Sequence, residues 1–127
     1  MNIKEKPLIF DGAMGTYYAS VCENPLSKCE LANIYDRNTI LNIHREYISA
    51  GCKAIKTNTF GANKISLESD FDTVKEVIVK GYEIARDAAK GTEVLVFADI
   101  GPIPFLEMLD LWEAYKEIVD LDRKSVV

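Results

Sequence analysis

The sequence predicts an α/β protein with a parallel sheet, made of about three βα units of an incomplete (β/α)8 TIM-type barrel. Apolar runs of strand length begin near residues 8, 52 and 94, and a helical pattern follows each of them. A spacing of about 40 residues leaves room for a crossover helix and generous loops, which predicts parallel strands. Each run also ends in small and polar residues, which is typical of a barrel whose loops gather at one face.

A complete barrel has eight strands and usually about 250 residues. The 127 residues of this chain provide three clear units, and the stretch from Leu121 to Val127 leaves the helical pattern without beginning a good strand. We therefore interpret residues 1–127 as one portion of a barrel domain, truncated at its C-terminal end.

The first strand, Leu8 to Phe10, leads into the segment Asp11-Gly12-Ala13-Met14-Gly15-Thr16, and a short helix is predicted from Thr16 to Val21. Its glycines allow a sharp turn or the close approach of a ligand. Backbone N–H groups after a strand can seat a carboxylate, and the Asp11 side chain beside them can hold an ammonium group. This combination suits an amino acid zwitterion. Asp-Gly is equally an ordinary turn signal, and the residues alone leave both interpretations open.

The second unit begins with a helix that Asp36 or Asn38 can cap and that Gly51 is placed to end. A strand follows from Cys52 to Asn58 and again ends in polar residues. Asn58 and the adjacent threonine, Thr59, are candidates for hydrogen bonds to a ligand, with ordinary loop capping as the alternative.

The third unit consists of a helix from Val74 to Lys90, a strand from Val94 to Ala98 and a helix from Leu106 to Val119. The strand is apolar throughout, which predicts cover on both faces. Trp112 and Tyr115 are interpreted as packing residues of the last helix.

Composition excludes several functional classes. The formal net charge is −5, and charged residues, 28% of the chain, are interspersed. A surface for nucleic acid or an anionic membrane requires clustered lysine and arginine. No apolar run approaches the roughly 20 residues that cross a bilayer, and the start lacks the apolar core of a signal peptide. The sequence predicts a cytoplasmic protein without nucleic-acid or membrane partners.

The cysteines do not form a recognisable metal pattern. Cys22, Cys29 and Cys52 are too scattered for a disulfide scaffold, and the single histidine, His44, is remote from them in sequence. We predict no local metal site, and we expect His44 to be a partly exposed helix residue.

Three ordered segments carry a family resemblance: Asp11 to Thr16, Ile43 to Gly51, and Thr57 to Asn63, with Ile100-Gly101-Pro102 in the place of a third loop. Together they resemble the amino-terminal part of the homocysteine S-methyltransferase domain. The resemblance extends from about Leu8 to Val119.

The resemblance implies a zinc-dependent barrel that binds homocysteine and methylates its sulfur to form methionine. The zinc keeps the substrate sulfur as a thiolate. The methyl group in this family is carried by cobalamin, a methylated folate, betaine or a sulfonium compound.

The resemblance also implies six substrate-binding positions in the first two loops: Asp11, Gly12, Ala13, Met14, Asn58 and Thr59. Asp11 is implied to meet the amino group, and the backbone of the next three residues the carboxylate. Asn58 and Thr59 are implied to line the pocket. At Asp99 the family more often has a small residue, so this carboxylate either alters donor choice or is simply solvated, and the second interpretation is favoured.

The family's zinc ligands are three cysteines that lie beyond the end of this chain, so the fragment alone is predicted to be inactive. The rest of the barrel is expected as a partner, in the same or another chain. An alternative hypothesis is a non-catalytic half-barrel module that pairs with another chain, since an open half barrel exposes a strand edge and apolar faces. A phosphate-binding enzyme ranks last, because the Gly-x-x-x-x-Gly-Lys-Ser/Thr pattern is missing.

Overall fold

A computed structural model of the chain describes residues 6–104 and 108–125. Within these residues the elements follow in the order α1 (Gly15–Val21), a 3-10 turn (Cys29–Leu31), α2 (Ala32–Tyr35), α3 (Arg37–Ser49), β1 (Ala54–Lys56), α4 (Lys64–Leu67), α5 (Phe71–Ala89), β2 (Leu95–Phe97) and α6 (Met108–Ser125).

The two strands form a small parallel sheet. β1 and β2 pair in the register Ala54 with Leu95, Ile55 with Val96, and Lys56 with Phe97. The long helix α5 lies between them in sequence and provides the crossover that parallel strands require. The predicted α/β class and the parallel direction of these strands are confirmed. Both strands are shorter than predicted, with three residues each.

The predicted first strand, Leu8 to Phe10, is present only as an isolated parallel bridge between Phe10 and Ala54. Ile9 O accepts hydrogen bonds from the backbone N–H groups of Lys53 at 2.8 Å and Ala54 at 3.2 Å, and Asp11 N donates to Ala54 O at 2.9 Å. The segment therefore runs beside β1, opposite β2, as the beginning of a third strand. Within the described residues it has a pairing partner on one side only.

The helices differ from the predictions mainly at their starts. Asp36 precedes α3, but its side chain accepts a hydrogen bond from Thr39 Oγ1 at 2.9 Å instead of capping the backbone. The long helix α5 begins three residues before the predicted Val74, because the Asp70 side chain caps it through Thr73 N at 2.9 Å. The short helices α2 and α4 were not predicted, since four residues are too few to show an apolar stripe.

The last helix, α6, continues past the predicted end at Val119 to Ser125, whereas the predicted start at Leu106 lies outside the described residues. The packing role predicted for Trp112 is wrong, because its side chain is 69% exposed. Tyr115 is half-buried against the core, and its hydroxyl donates to Gly101 O at 3.3 Å and accepts from Ile103 N at 3.2 Å.

Helices cover one face of the sheet. Ile55 of β1 is fully buried and packs with Cys52, Ala85 and Ala89, while α5 also contacts α3 and α6. On the other face the aromatic rings of Phe10 and Phe97 pack together with their centroids 5.0 Å apart, and the two residues remain 42% and 37% exposed. The prediction that β2 is covered on both faces therefore does not hold within the described residues.

Gly81 allows α5 to approach the polar end of β1. A Cβ atom at this position would lie 2.8 Å from both Asn33 Nδ2 and Thr59 Cγ2, which is closer than real contacts allow. The glycine therefore lets the helix backbone rest directly on the loop that follows β1.

His44 is fully buried in α3, so the prediction of a partly exposed histidine is wrong. Neither ring nitrogen has a hydrogen-bond partner among the described residues. Burial lowers the pKa of His44 to about 4, and the negative charge of Asp11 opposes this effect. The imidazole is consequently neutral near pH 7.

None of the helices in the described residues is both long enough and apolar enough to cross a bilayer.

Candidate functional site

An open cavity of about 720 Å³ lies at the carboxyl ends of the strands. Four parts of the chain surround it: the first loop from residue 11 to 16, the segment before α2, the end of β1 with its loop, and Asp99 after β2. The cavity brings together all six residues predicted to bind substrate, namely Asp11, Gly12, Ala13, Met14, Asn58 and Thr59.

The carboxylate of Asp11 is nearly inaccessible, with 3% of the side chain exposed. Its Oδ2 accepts a hydrogen bond from Lys56 N at 3.1 Å, which fixes the side chain against β1. Its Oδ1 lies 2.5 Å from Lys56 Nζ, which also donates to Asp11 O at 3.2 Å. Asp11 thus faces an ammonium group that belongs to the chain itself, whereas the predicted partner was the ammonium of a ligand.

Tyr47 of α3 holds the rest of the first loop. Its hydroxyl donates a 2.6 Å hydrogen bond to Ala13 O, and a Cβ atom at Gly12 would lie only 2.9 Å from that hydroxyl oxygen. Burial raises the pKa of Tyr47, and the Asp11 carboxylate adds to the effect, so the phenol keeps its donor proton. Among the described residues, the N–H groups of Gly12, Ala13 and Met14 donate no hydrogen bond.

Asn58 lines the cavity, and its side chain is also used to join neighbouring segments. Asn58 Nδ2 donates to Cys29 O at 2.8 Å and to Asn33 Oδ1 at 3.0 Å. Asn33 Nδ2 in turn donates to Asn58 O at 2.8 Å and to Val77 O at 3.0 Å. Both asparagines are buried, so this network fixes the second loop against the 3-10 turn and α5.

Thr59 joins the second loop to the third. Thr59 Oγ1 donates to Asp99 O at 2.8 Å and lies 2.7 Å from Thr57 Oγ1, which accepts from Asp99 N at 3.2 Å. All three hydrogen bonds can form together if the Thr57 hydroxyl donates its proton to Thr59 Oγ1. The backbone of Asp99 is thereby held against the end of β1.

Negative charge predominates around the cavity. The carboxylates of Asp11, Glu30 and Asp99 line it together with two cations, Lys28 and Lys56. Asp99, expected to be solvated, is half-buried. Burial raises the pKa of Asp99, the Lys56 ammonium lowers it, and the other two carboxylates raise it further. The cavity is therefore suited to a ligand with a cationic group.

The side chains that the structure describes do not fit a zinc site. Burial raises the pKa of Cys29 to about 12, with the Glu30 carboxylate adding to the effect, so the cavity's cysteine stays a neutral thiol. Cys52 is buried in the core beside β1, away from the cavity lining. Across residues 6–104 and 108–125, no three histidine, cysteine or acidic side chains are grouped so that they can hold a metal ion.

Sequence reasoning did not identify three residues that shape this cavity. Lys56 could have been identified, because a charged residue within a predicted apolar strand normally has a partner of opposite charge. Tyr47 was counted among the apolar residues of α3, and Asn33 was assigned to a loop. Neither pattern indicated that these side chains shape the cavity. Their roles depend on contacts with residues more than 20 positions away.

The parallel α/β arrangement, with a polar cavity at the strand ends, defines a class of proteins that bind ligands at this edge of the sheet. Within that class, the homocysteine S-methyltransferase family matches residues 8–125 of this chain. The chain belongs to this family.

Two methionine synthases are similar to the chain in sequence. The protein from Mycobacterium tuberculosis is 33% identical over 99 aligned residues, which cover 68% of this chain and 8% of that protein. The protein from Mycobacterium leprae is 31% identical over 100 aligned residues, which cover 69% of this chain and 8% of that protein. The chain thus spans a small part of the relatives that it matches.

Two solved structures share the fold. The homocysteine methyltransferase MmuM from Escherichia coli, in its metallated form, superposes with a TM-score of 0.78 at 20% identity, over 97% of this chain and 52% of that chain. Its oxidized form gives a TM-score of 0.77 at 19% identity, over 98% of this chain and 52% of that chain. This likeness concerns the fold alone.

Proposed function

We propose that this chain is the amino-terminal portion of a homocysteine S-methyltransferase barrel, in which it binds the amino acid end of homocysteine. The whole domain transfers a methyl group to the homocysteine sulfur and forms methionine. One observation carries the proposal: the cavity at the strand ends combines a fixed carboxylate, Asp11, with the backbone N–H groups of the next three residues, which donate no hydrogen bond to any residue that the structure describes.

The proposed binding mode follows from the charges of the ligand. The ammonium of homocysteine pairs with the Asp11 carboxylate, which its backbone hydrogen bond to Lys56 N has already oriented. The ligand carboxylate accepts hydrogen bonds from the N–H groups of Gly12, Ala13 and Met14. Asn58 and Thr59 form the wall of the pocket, and their own hydrogen bonds keep that wall rigid.

Thiol activation is proposed to depend on parts of the protein outside this chain. The family resemblance implies zinc, and the described residues form no metal site, so we assign the zinc ligands to the remainder of the barrel. When bound, zinc supplies the stabilisation of the thiolate. The residues of this chain bind and orient the other end of the substrate. The methyl donor, whether cobalamin, a methylated folate or another compound, is also assigned to other parts of the protein.

The remainder of the barrel, in the same or another chain, is the proposed cover for the open face of the sheet. The exposed pair Phe10 and Phe97 on that face supports this assignment, since clustered aromatic side chains are normally buried. A cytoplasmic location, predicted from the sequence, is part of the same proposal.

The test is the affinity for L-homocysteine after Asp11→Asn in the full polypeptide encoded by the gene. The variant keeps the shape of the side chain and removes its charge. We expect the dissociation constant measured by calorimetry to rise about tenfold or more, the typical worth of a charge-assisted hydrogen bond. The matched control is Asp72→Asn, an exposed aspartate in the first turn of α5, which should leave the affinity unchanged. An unaltered dissociation constant in Asp11→Asn would remove Asp11 from the site.

A further inference from the structure

The carboxylate assigned to the substrate ammonium is already paired with a cation of the chain. Lys56 Nζ lies 2.5 Å from Asp11 Oδ1, and the Asp11 side chain is 3% exposed against 34% for Lys56. The lysine therefore covers the side of the carboxylate that faces the cavity. Because two ammonium groups repel each other at contact distance, a substrate ammonium can reach Asp11 only if Lys56 moves away.

Lys56 has a second carboxylate to which it can move. The parallel register places Lys56 beside Phe97, the last residue of β2, and Asp99 follows two residues after it. Lys56 and Asp99 both line the cavity, and the ammonium charge is felt at Asp99, where it lowers the pKa against the larger effect of burial. The flexible four-carbon stem of a lysine allows such a change of partner within an open cavity.

We propose that Lys56 is a displaceable counter-ion that pairs with Asp11 until a substrate ammonium replaces it and then turns to Asp99, which makes Lys56 a residue that sets how tightly the site binds an amine. This inference depends on the proposed role of Asp11 in binding the amine. A ligand with an ammonium group gains Asp11 and transfers Lys56 to Asp99. A ligand that lacks the ammonium leaves the Asp11–Lys56 pair unbroken, so Lys56 competes only with ligands that carry an ammonium group.

When Lys56 moves from Asp11 to Asp99, it loses two interactions and gains a new ion pair. Leaving Asp11 removes the 2.5 Å ion pair and the contact of the ammonium with the Phe10 ring, whose centroid is 5.7 Å away. Pairing with Asp99 supplies a new ion pair at the half-buried mouth of the cavity. The carboxylate at Asp99, where the family more often has a small residue, thus gains a role.

The test compares calorimetric affinities for L-homocysteine and for 4-mercaptobutanoate, the same molecule without its amino group. The variants are Lys56→Met, Asp11→Asn and the double variant, in the full polypeptide. We expect Lys56→Met to bind homocysteine about fivefold more tightly, because the competing ion pair is gone. Its affinity for 4-mercaptobutanoate should not increase. In the Asp11→Asn background, Lys56→Met should give no gain. The control Lys53→Met removes an exposed lysine three residues earlier and should leave both affinities unchanged.

The outcomes separate this inference from the proposed function. If Asp11→Asn weakens homocysteine binding and Lys56→Met fails to strengthen it, the exchange is wrong and the role of Asp11 stands. If Asp11→Asn has no effect, the proposed function itself fails. Lys56→Arg provides a second test should Lys56→Met not fold. A guanidinium binds a carboxylate through two N–H groups and is harder to displace, so homocysteine affinity should fall. Unchanged or tighter binding in Lys56→Arg would also overturn the exchange.

Discussion

The first and second loops border the same cavity but are constructed in opposite ways. In the first loop the backbone of Gly12 and Ala13 is exposed, and the Asp11 carboxylate meets a partly exposed lysine. In the second loop Asn58 and Thr59 are each 3% exposed, and their side chains bind other parts of the chain. A polar strand end can therefore serve either a ligand or the scaffold, and the partners of its side chains distinguish the two roles.

This difference predicts separate consequences for mutations. Changes in the second loop should lower the free energy of unfolding first, because they break a buried network. Changes that affect the exposed Gly12–Ala13 part of the first loop should alter ligand affinity with little effect on stability, because this part is not buried in the core.

The largest expected effect is that of Asn58→Ala. The variant leaves Cys29 O and Asn33 Oδ1 without their donor in a buried environment. We expect the free energy of unfolding to fall by about 3 kcal/mol, because two buried acceptors lose their partner and a cavity is created. Urea unfolding followed by circular dichroism measures the change. Asn24→Ala, at an exposed turn, is the control and should change stability by less than about 0.5 kcal/mol. A similar small change for Asn58→Ala would contradict the scaffold role of the second loop.

The next effect concerns His44, which is buried near enough to the first loop for the Asp11 charge to act on it. Burial lowers its pKa from 6.5 to about 4, so the unfolded chain binds more protons than the folded chain between these values. The free energy of unfolding should therefore fall as the pH drops through this window. Between pH 7 and pH 5 the loss from this residue is about 2 kcal/mol.

Another buried group acts in the opposite direction over part of this range. Burial raises the pKa of Asp122 from 3.8 to about 6, so the folded chain binds more protons there and gains stability as the pH falls. The difference between the wild type and His44→Leu isolates the histidine. We expect the variant to lose about 2 kcal/mol less than the wild type between pH 7 and pH 5 in urea titrations. Parallel pH profiles for the two proteins would show that His44 is not buried and neutral.

Much of the fold could be predicted from the sequence, because it depends on local signals. Apolar runs with polar ends located β1 and β2, and the apolar stripe of the region from Val74 to Lys90 located α5. The first strand was overestimated at Leu8 to Phe10, because it pairs with β1 through a single bridge at Phe10, and no local pattern encodes how far that pairing extends. The short helix α4 was missed for a similar reason: a cap at Asn63 defines it, not periodicity.

The candidate site could be predicted less completely. The loops that carry Asp11 and Asn58 were located, because polar residues after parallel strands gather at one edge of the sheet. Which polar atoms face a ligand was not predictable, because that depends on partners distant in sequence such as Asn33 and Lys56. The burial of His44 was missed for the same reason, since a histidine in an amphipathic helix gives no local sign of what covers it.

The smallest expected effect is that of Tyr47→Phe, in the α3 residue whose hydroxyl holds the first loop. The variant removes the hydroxyl that donates to Ala13 O at 2.6 Å and leaves the ring that packs beside Gly12. We expect the free energy of unfolding to fall by only about 1 kcal/mol, the typical net value of one hydrogen bond. The affinity for homocysteine should fall about threefold, because the backbone that receives the ligand carboxylate is less well positioned.

The control for this prediction is Tyr35→Phe, which removes the hydroxyl of a side chain that is 73% exposed. It should change neither stability nor affinity. The decisive quantity is the ratio of the two effects in Tyr47→Phe. A loss of affinity with nearly unchanged stability would show that the first loop serves ligand binding. A loss of several kcal/mol with unchanged affinity would make it a scaffold like the second loop, and the assignment of its backbone to the ligand carboxylate would be wrong.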